Sequence, residues 1–377
     1  MNPPLHILHT EASKGWGGQE LRVLAELEGF AARGCRVRLL APSDAQILRA
    51  ARDRGIPCEA VAFDRPLSRL GLGQIRRLRR RLRADPVDVI VTHSSHDSWQ
   101  TALARVFLDR PPALVRTRHV SAPITDNFAG RWLYRRAADR IATTGEAIRR
   151  HLIDAMGAAP ERVEAIPTGV DPARFDPARY PDRTAVRRAT GLPERGRLLG
   201  IVATLRTWKG HQDLLTAFES LQARASDLHL VIVGDGPQRP RIEARKAIMD
   251  GGERVHLLGR RDDVPALLAA LDLFALPSRC NEGVPQAIVQ AMAMGLPIVT
   301  TDAGSIPEAI RHEHNGLIAA KGNADALAAG LSRILDDADL ARRLGRNARA
   351  DALAHHTLEA TLDRMDRLMR AAIASRA

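Results

Sequence analysis

Residues 273–293 read LFALPSRCNEGVPQAIVQAMA. A short apolar run comes first, then a polar loop, then Pro285 leading into a segment with apolar residues at helical spacing. A brief apolar run bounded by turn residues is a buried strand. Proline suits the first turn of a helix, where a missing N–H is no loss. The stretch is therefore strand, loop, helix. Glu282 stands just before the helix, and Gly283 lets a ligand approach the backbone closely. A carboxylate and free backbone N–H groups then share one spot. A polyhydroxylated, negatively charged ligand needs both, although a carboxylate there can also simply cap the helix.

The same strand–loop–helix unit recurs in both directions. Upstream, strands are expected at residues 5–9, 37–41, 58–62, 87–92, 113–116, 141–143 and 163–166, with helices at 19–33, 95–108 and 146–156. Residues 169–193 are rich in Pro, Asp and Arg, lack apolar rhythm and read as a linker. The pattern then restarts, with strands at 198–203, 229–233, 255–258, 273–275 and 297–300. Helices follow at 212–223, 239–248, 264–270, 286–294 and 324–336, and an amphipathic helix closes the chain at 357–375. Regular strand–helix alternation specifies parallel sheets covered on both faces. The fold class is α/β, in two successive doubly wound domains, 1–175 and 194–355, which implies a cleft between them.

The 377 residues carry 56 Lys and Arg against 44 Asp and Glu, a net +12, with 45% hydrophobic and 27% charged residues. These proportions exclude bulk disorder and suit two domains with separate cores. Cys35, Cys58 and Cys280 have no paired metal spacing and cannot frame a small disulfide fold, which suits a reducing compartment. No signal peptide and no apolar run of about 18 residues is legible, so a cytoplasmic location is expected. Residues 1–175 hold 28 Lys and Arg against 19 Asp and Glu, and residues 69–83 hold seven Arg and no acid. With 3% aromatics and no helix-turn-helix, zinc or RNA-recognition pattern, nucleic acid is not the expected partner of that charge.

In open parallel sheets ligands sit at the carboxyl ends of strands, beside helix N-termini. Four loops there carry chemistry. Residues 14–20, KGWGGQE, place Gly17 and Gly18 at a helix start where backbone N–H groups can meet an anion; neither a dinucleotide fingerprint nor a P-loop is present. Residues 204–211, TLRTWKGH, place Arg206 and Lys209 where a guanidinium and an ammonium can hold a diphosphate, or where a helix simply begins. Gly234 and Gly236 in VGDGP read first as a tight turn, with backbone contact to a nucleotide as the alternative. The fourth is the Glu282 loop.

These four stretches in this order resemble the GT4 retaining glycosyltransferases (glycosyl transferases group 1). The resemblance covers nearly the whole chain and is specific in combination. It implies the GT-B fold, two Rossmann-like domains facing a cleft, with the last helix, 356–377, returning to the first domain. It also implies transfer of a sugar from a nucleotide-diphosphate donor, UDP-linked by weak preference over GDP or ADP, to a glycan or lipid-linked acceptor of cell-surface polysaccharide or lipopolysaccharide synthesis. Glu282 would then contact donor-sugar hydroxyls, and Gly283, Val284 and Pro285 would line sugar and phosphate. Arg206 and Lys209 would neutralise the diphosphate, and Gly17 and Gly18 would approach it. Gly234 and Gly236 join the donor set, and His119 stands where the family often places a histidine against the donor sugar. The family's second Glu, which usually holds the ribose, is replaced here by Gln290, a neutral donor and acceptor. The contact to the ribose is then made without charge.

Residues 93–97, HSSHD, offer Ser94, His96 and Asp97 to an acceptor. A zinc pair there is the lesser reading, and no metal or cofactor is expected. Asp337 and Asp339 have the D-x-D spacing but follow no strand, and read as helix capping. His355 and His356 read as the start of the last helix. Residues Ile75, Leu78 and Leu82 form an apolar stripe beside Arg76, Arg77, Arg79, Arg80, Arg81 and Arg83. The plain reading packs the stripe on the sheet and leaves the arginines solvated. The sharper one turns Arg76, Arg77, Arg79, Arg80 and Arg81 to an anionic membrane, with the protein peripheral on the inner face of the cytoplasmic membrane. A GT-B-type sugar-nucleotide epimerase and a basic nucleic-acid-binding protein are the alternative functions.

Overall fold

The computed structural model describes residues 3–63, 69–106, 108–119, 128–280 and 282–376, the side chains of Arg69, Leu70, Phe128 and Ala129 apart. Asn281 of the opening stretch, and Val120 and Ser121 after His119, lie outside the described residues. The chain divides into two compact units, Met1–Pro167 with Leu358–Ala377, and Thr168–Thr357.

The first unit is built on seven strands: β1 (His6–Thr10), β2 (Arg36–Ala41), β3 (Cys58–Ala60), β4 (Val89–Thr92), β5 (Ala113–Arg118), β6 (Arg140–Thr143) and β7 (Val163–Ala165). Their order is β3-β2-β1-β4-β5-β6-β7, and neighbouring strands run parallel. Side chains alternate across the sheet. Ile7, Leu39, Val89 and Val91 enter one core, with Val23, Leu24, Leu27 and Phe30 of helix Gly18–Ala32. Leu8, Leu40, Ile90 and Leu114 enter another, with Ile75, Leu78 and Leu82 of helix Arg69–Ala84. Burying each of those three helix residues is worth about 1.5–3 kcal/mol, so the stripe is committed to the sheet.

The last helix, Leu358–Ala374, belongs to this unit. Leu362, Met365, Leu368, Met369 and Ala372 bury themselves in the core beside helix Gly18–Ala32. Gly29 makes the approach possible, since a Cβ there would run into the Leu362 side chain. The helix begins at Leu358; His355 ends the preceding helix, Ala338–His355, and His356 is its buried cap, not a helix start.

The second unit has six strands: β8 (Arg197–Val202), β9 (Leu228–Val233), β10 (Val255–Gly259), β11 (Leu273–Leu276), β12 (Ile298–Thr301) and β13 (Leu317–Ala319), ordered β10-β9-β8-β11-β12-β13, again parallel. The edge strand β13, three residues long, adds to the five strands expected in this half. The expected linker is also partly structured. Residues Arg183–Thr190 form a helix capped by Asp182, and buried Arg187 reaches the Ala270 carbonyl and the Asp272 carboxylate, at 3.1 and 2.7 Å. Those tie the segment into the second unit. Asp337 caps helix Ala338–His355, accepting from the N–H groups of Asp339 and Leu340 at 3.0 and 2.9 Å, as the capping reading has it.

Candidate active site

Each sheet has one place where the strand order reverses, between β1 and β4 and between β8 and β11. Loops diverge to opposite faces at such a point and leave a crevice at the carboxyl ends. Residues 11–17 and 93–94 follow β1 and β4. Residues 203–210 and 277–285 follow β8 and β11. Three of the four chemically loaded loops of the sequence are therefore switch-point loops of their own sheets, while Gly234 and Gly236 follow β9, beside β8.

In the second unit Lys209 and Glu282 meet. Lys209 Nζ donates to Glu282 Oε1 at 2.6 Å, and Ser278 Oγ donates to the same oxygen at 2.8 Å. Glu282 is buried and Lys209 nearly so. Several bonds lock the two loops together. Arg279 N–H donates to the Trp208 carbonyl at 2.7 Å, and Arg279 Nε donates to Asp213 at 2.7 Å. Gly210 is left-handed, at φ +73°, and lies against the Pro277 carbonyl, where any Cβ would collide. The Glu282 carbonyl accepts from Ser305 N–H at 3.1 Å, and left-handed Gly304 packs against the same backbone. The carboxylate is thus fixed from both sides.

Arg206 precedes the short turn Thr207–Lys209 and stays exposed, its guanidinium 5.7 Å from the Trp208 ring centre. Gly234 and Gly236 lie against the backbone of Ala203 and Leu205, and Leu205 N–H donates to the Asp235 carbonyl at 3.0 Å. Their first role is to let these loops touch. Gly283, Val284 and Pro285 are buried, with the Val284 side chain in the core. Pro285 is the cap residue of helix Gln286–Ala293, one position earlier than its expected place in the first turn. Gln290 is buried on that helix. His211, buried beside Lys209, has its pKa lowered to about 4 by burial and by that ammonium.

In the first unit Gly17 caps helix Gly18–Ala32 in an extended conformation that any residue adopts. Glu11, just past β1, organises the surroundings. It accepts from Gln19 Nε2 at 2.5 Å, from Ser13 N–H at 2.7 Å and from the Ser94 hydroxyl. Burial and the nearby Asp97 carboxylate push its pKa up to about 7, against the pull of the Ser94 and Gln19 hydrogen bonds. Asp97 itself is fully buried. It accepts from Thr10 Oγ1 at 2.8 Å and from the N–H groups of His93 and Ser94, each at 3.0 Å, and burial raises its pKa to about 6. Its carboxylate is occupied in holding the loop, whereas Ser94 is half-buried and His96 exposed.

His119, just past β5, is buried and joined to His93, Nε2 to Nδ1, at 3.0 Å; His93 Nε2 meets His9 Nδ1 at 2.9 Å. Glu11, His9 and Ser278 were not singled out from the sequence. Their only signal there is position, next to the residues that were. Of the basic helix, Arg76, Arg77, Arg80 and Arg83 are exposed, Arg79 is half-buried, and Arg81 pairs with Glu59.

Residues 16–174 match the family Glycosyltransferase Family 4, and residues 182–351 match Glycosyl transferases group 1. The 2-deoxystreptamine glucosyltransferase of Streptomyces kanamyceticus is 32% identical over 248 residues, 63% of this chain and 63% of that protein. Among solved structures, a glycosyltransferase from Rickettsia africae ESF-5 superposes with a TM-score of 0.87 at 18% identity, covering 99% of both chains. HepE of Anabaena, in complex with UDP and glucose, superposes at 0.84 and 22% identity, covering 96% of this chain and 98% of that one. These structures show the fold, which is GT-B. The chain spans 47% to 63% of the length of the first curated relatives it matches. With one family matched by each half, the chain belongs to the GT4-type glycosyltransferases (glycosyl transferases group 1) of GT-B fold.

Proposed function

We propose that the protein transfers a sugar, with retention, from a nucleotide-diphosphate donor to a hydroxyl of a glycan or lipid-linked acceptor in cell-surface polysaccharide or lipopolysaccharide synthesis. The observation that carries this reading is the locked Lys209–Glu282 pair at the β8/β11 switch point, with exposed Arg206 one short turn before Lys209. In the reaction the bond from the anomeric carbon to the diphosphate breaks and a bond to the acceptor oxygen forms on the same face. The acceptor proton leaves with the diphosphate oxygen. Charge develops on that leaving group, so fixed cations aimed at it lower the barrier most. Arg206 and Lys209 supply them, and Glu282 and His119 hold donor hydroxyls. Gly17 and Gly18 offer backbone N–H groups to an anion. Ser94 and His96 face the acceptor, with Asp97 holding their loop from behind.

UDP is the preferred nucleotide, in keeping with the UDP and glucose of the HepE complex. The relatives named above are glycosyltransferases, which favours transfer over epimerisation. No helix of the described residues is long and apolar enough to cross a membrane. Contact with a lipid-linked acceptor is proposed to use Arg76, Arg77 and Arg80 against the anionic inner face of the cytoplasmic membrane. The deciding experiment is a stability screen of the full chain with UDP-, GDP- and ADP-sugars at matched salt. A donor at about 100 times its Kd stabilises by about 2.7 kcal/mol. No stabilisation by any of the three at millimolar concentration would overturn the reading.

A further inference from the structure

His9, His93 and His119 come from three strand ends that are neighbours in the sheet, β1, β4 and β5. The register sets His9 opposite Val91, and His93 N–H continues the ladder to the Thr10 carbonyl at 3.2 Å. The three rings therefore stand side by side across the sheet edge, with centroids 5.2 Å apart in each pair. His9 Nδ1 meets His93 Nε2 at 2.9 Å, and His93 Nδ1 meets His119 Nε2 at 3.0 Å. His93 spends both ring nitrogens on the chain.

We propose that His93, backed by His9, is a positioning residue that fixes the tautomer and orientation of His119. The proposal rests on the reading of His119 as a group that meets the donor sugar. A contact between two neutral imidazoles holds one proton, on one nitrogen or the other. Two such contacts through a shared ring leave the three tautomers no independent choice. If His93 donates from Nε2 to His9, its Nδ1 accepts from His119, and His119 presents a bare Nδ1. If His93 donates from Nδ1, His119 presents an N–H. A hydrogen bond to one ring nitrogen thus decides what the other offers. All three rings are held neutral: burial lowers every one of their pKa values, with Arg22 adding to the effect at each and Arg116 at His93 and His119.

The inner end of the chain decides the direction. His9 Nε2 and Glu26 Oε2 are both buried without a hydrogen-bond partner, and ligand atoms of His9, Glu26 and His93 lie within 4.8 Å of one another. Three such groups are also a candidate cation site. Arg22 argues against a cation there, because its buried guanidinium already pairs with Glu26 at 2.7 Å. Burial raises the Glu26 pKa and the Arg22 pair opposes that rise; an ionised Glu26 on that side favours a proton on His9 Nε2, which makes His119 Nδ1 the acceptor.

The test is long-range nitrogen–proton correlation on the full chain labelled with 15N-histidine, in wild type, His93→Leu and His93→Gln. The expected result is one neutral tautomer for His119 in wild type between pH 6 and 8. In His93→Leu the His119 nitrogen shifts move to an average of the two neutral tautomers, and kcat falls at least tenfold with donor KM unchanged. His93→Gln, which keeps one donor and one acceptor, recovers part of the kcat. If His93→Leu does not fold, His9→Gln serves for the same measurement. Unchanged His119 shifts in the folded variant overturn the proposal. So does stoichiometric metal in the purified protein whose chelation produces the same shift changes. If His119→Ala keeps full transfer while His93→Leu still moves the His119 shifts, the chain stands and the donor-sugar reading fails.

Discussion

Lys209 Nζ lies 2.6 Å from Glu282 Oε1, across 73 positions of sequence. The proposed diphosphate ligand and the proposed sugar ligand are therefore partners of each other before any donor arrives. Sequence alone suggests that Lys209→Ala and Arg206→Ala both leave melting unchanged, since both would face a ligand. The pair separates them. Without Lys209 the buried Glu282 carboxylate keeps, among the described residues, only the Ser278 hydroxyl. Stranding one charge of a largely buried pair costs about 3 kcal/mol. Arg206 is exposed, and its removal changes stability by no more than about 0.5 kcal/mol. Both variants lose transfer, by about 100-fold or more. Urea unfolding and initial rates check this; equal stability in the two variants, or full turnover in either, contradicts it.

Gln290→Glu restores the residue usual in the resembled family, and the position is buried on helix Gln286–Ala293. A charged acceptor binds a hydroxyl about twice as strongly as a neutral one. Burying that charge without its ligand costs stability. The expected outcome is a lower melting temperature for the free protein and a several-fold tighter Kd for UDP by calorimetry. Weaker UDP binding in a folded variant would place Gln290 in the packing of the helix and away from the ribose.

The switch-point loops were legible because they break the apolar rhythm at the residues that end each strand. Glu282, Lys209 and Gly18 stand out as polar or small residues where a helix is about to begin. His9 did not stand out, since within residues 5–9 it reads as one more strand position. Its meaning depends on β4 and β5 lying beside β1, and the sequence shows strands without their order. Asp97 misled for a related reason: a carboxylate after a strand reads as exposed until the Thr10 hydroxyl and two N–H groups are seen to close around it. Arg187 was lost in a segment whose Pro, Asp and Arg content hides a helix.

Acid stability follows from the same buried groups. Burial lowers the pKa values of His9, His93, His119 and His211 below the ordinary value near 6.5. As pH falls below 6.5 the unfolded chain binds protons first, so each histidine removes about 1.4 kcal/mol of stability per pH unit until its folded form titrates. For His9 that window runs down to about pH 3. Glu11 and Asp97, raised to about 7 and 6, work the other way, the folded state binding protons first as pH falls. The histidines outnumber them, and stability drops between pH 6.5 and 5. In His9→Leu the difference in unfolding free energy between pH 7.5 and 5.0 shrinks by about 2 kcal/mol. An unchanged difference would mean that His9 is charged in the folded state.

The basic helix supplies the last prediction. Ile75, Leu78 and Leu82 are buried against the sheet, so no apolar stripe remains for insertion into lipid. Apart from exposed Leu72, what the helix offers is charge, from Arg76, Arg77, Arg80 and Arg83, which are exposed. Arg81 is already neutralised by Glu59. Each exposed Arg contributes about 1 kcal/mol near an anionic surface, and the attraction fades within a Debye length of about 8 Å at physiological salt. Binding to vesicles containing phosphatidylserine is therefore expected at low salt and lost at high salt, with none to neutral phosphatidylcholine. Changing Arg76, Arg77 and Arg80 together to Gln removes about 3 kcal/mol, a drop of about 100-fold in partitioning, while Arg81→Gln has a lesser effect. Transfer to a soluble acceptor stays at the wild-type rate in the triple variant, because the substitutions leave the buried stripe in place. Equal partitioning onto neutral and anionic vesicles, or an unaltered triple variant, would leave the helix as a solvated face with no membrane role.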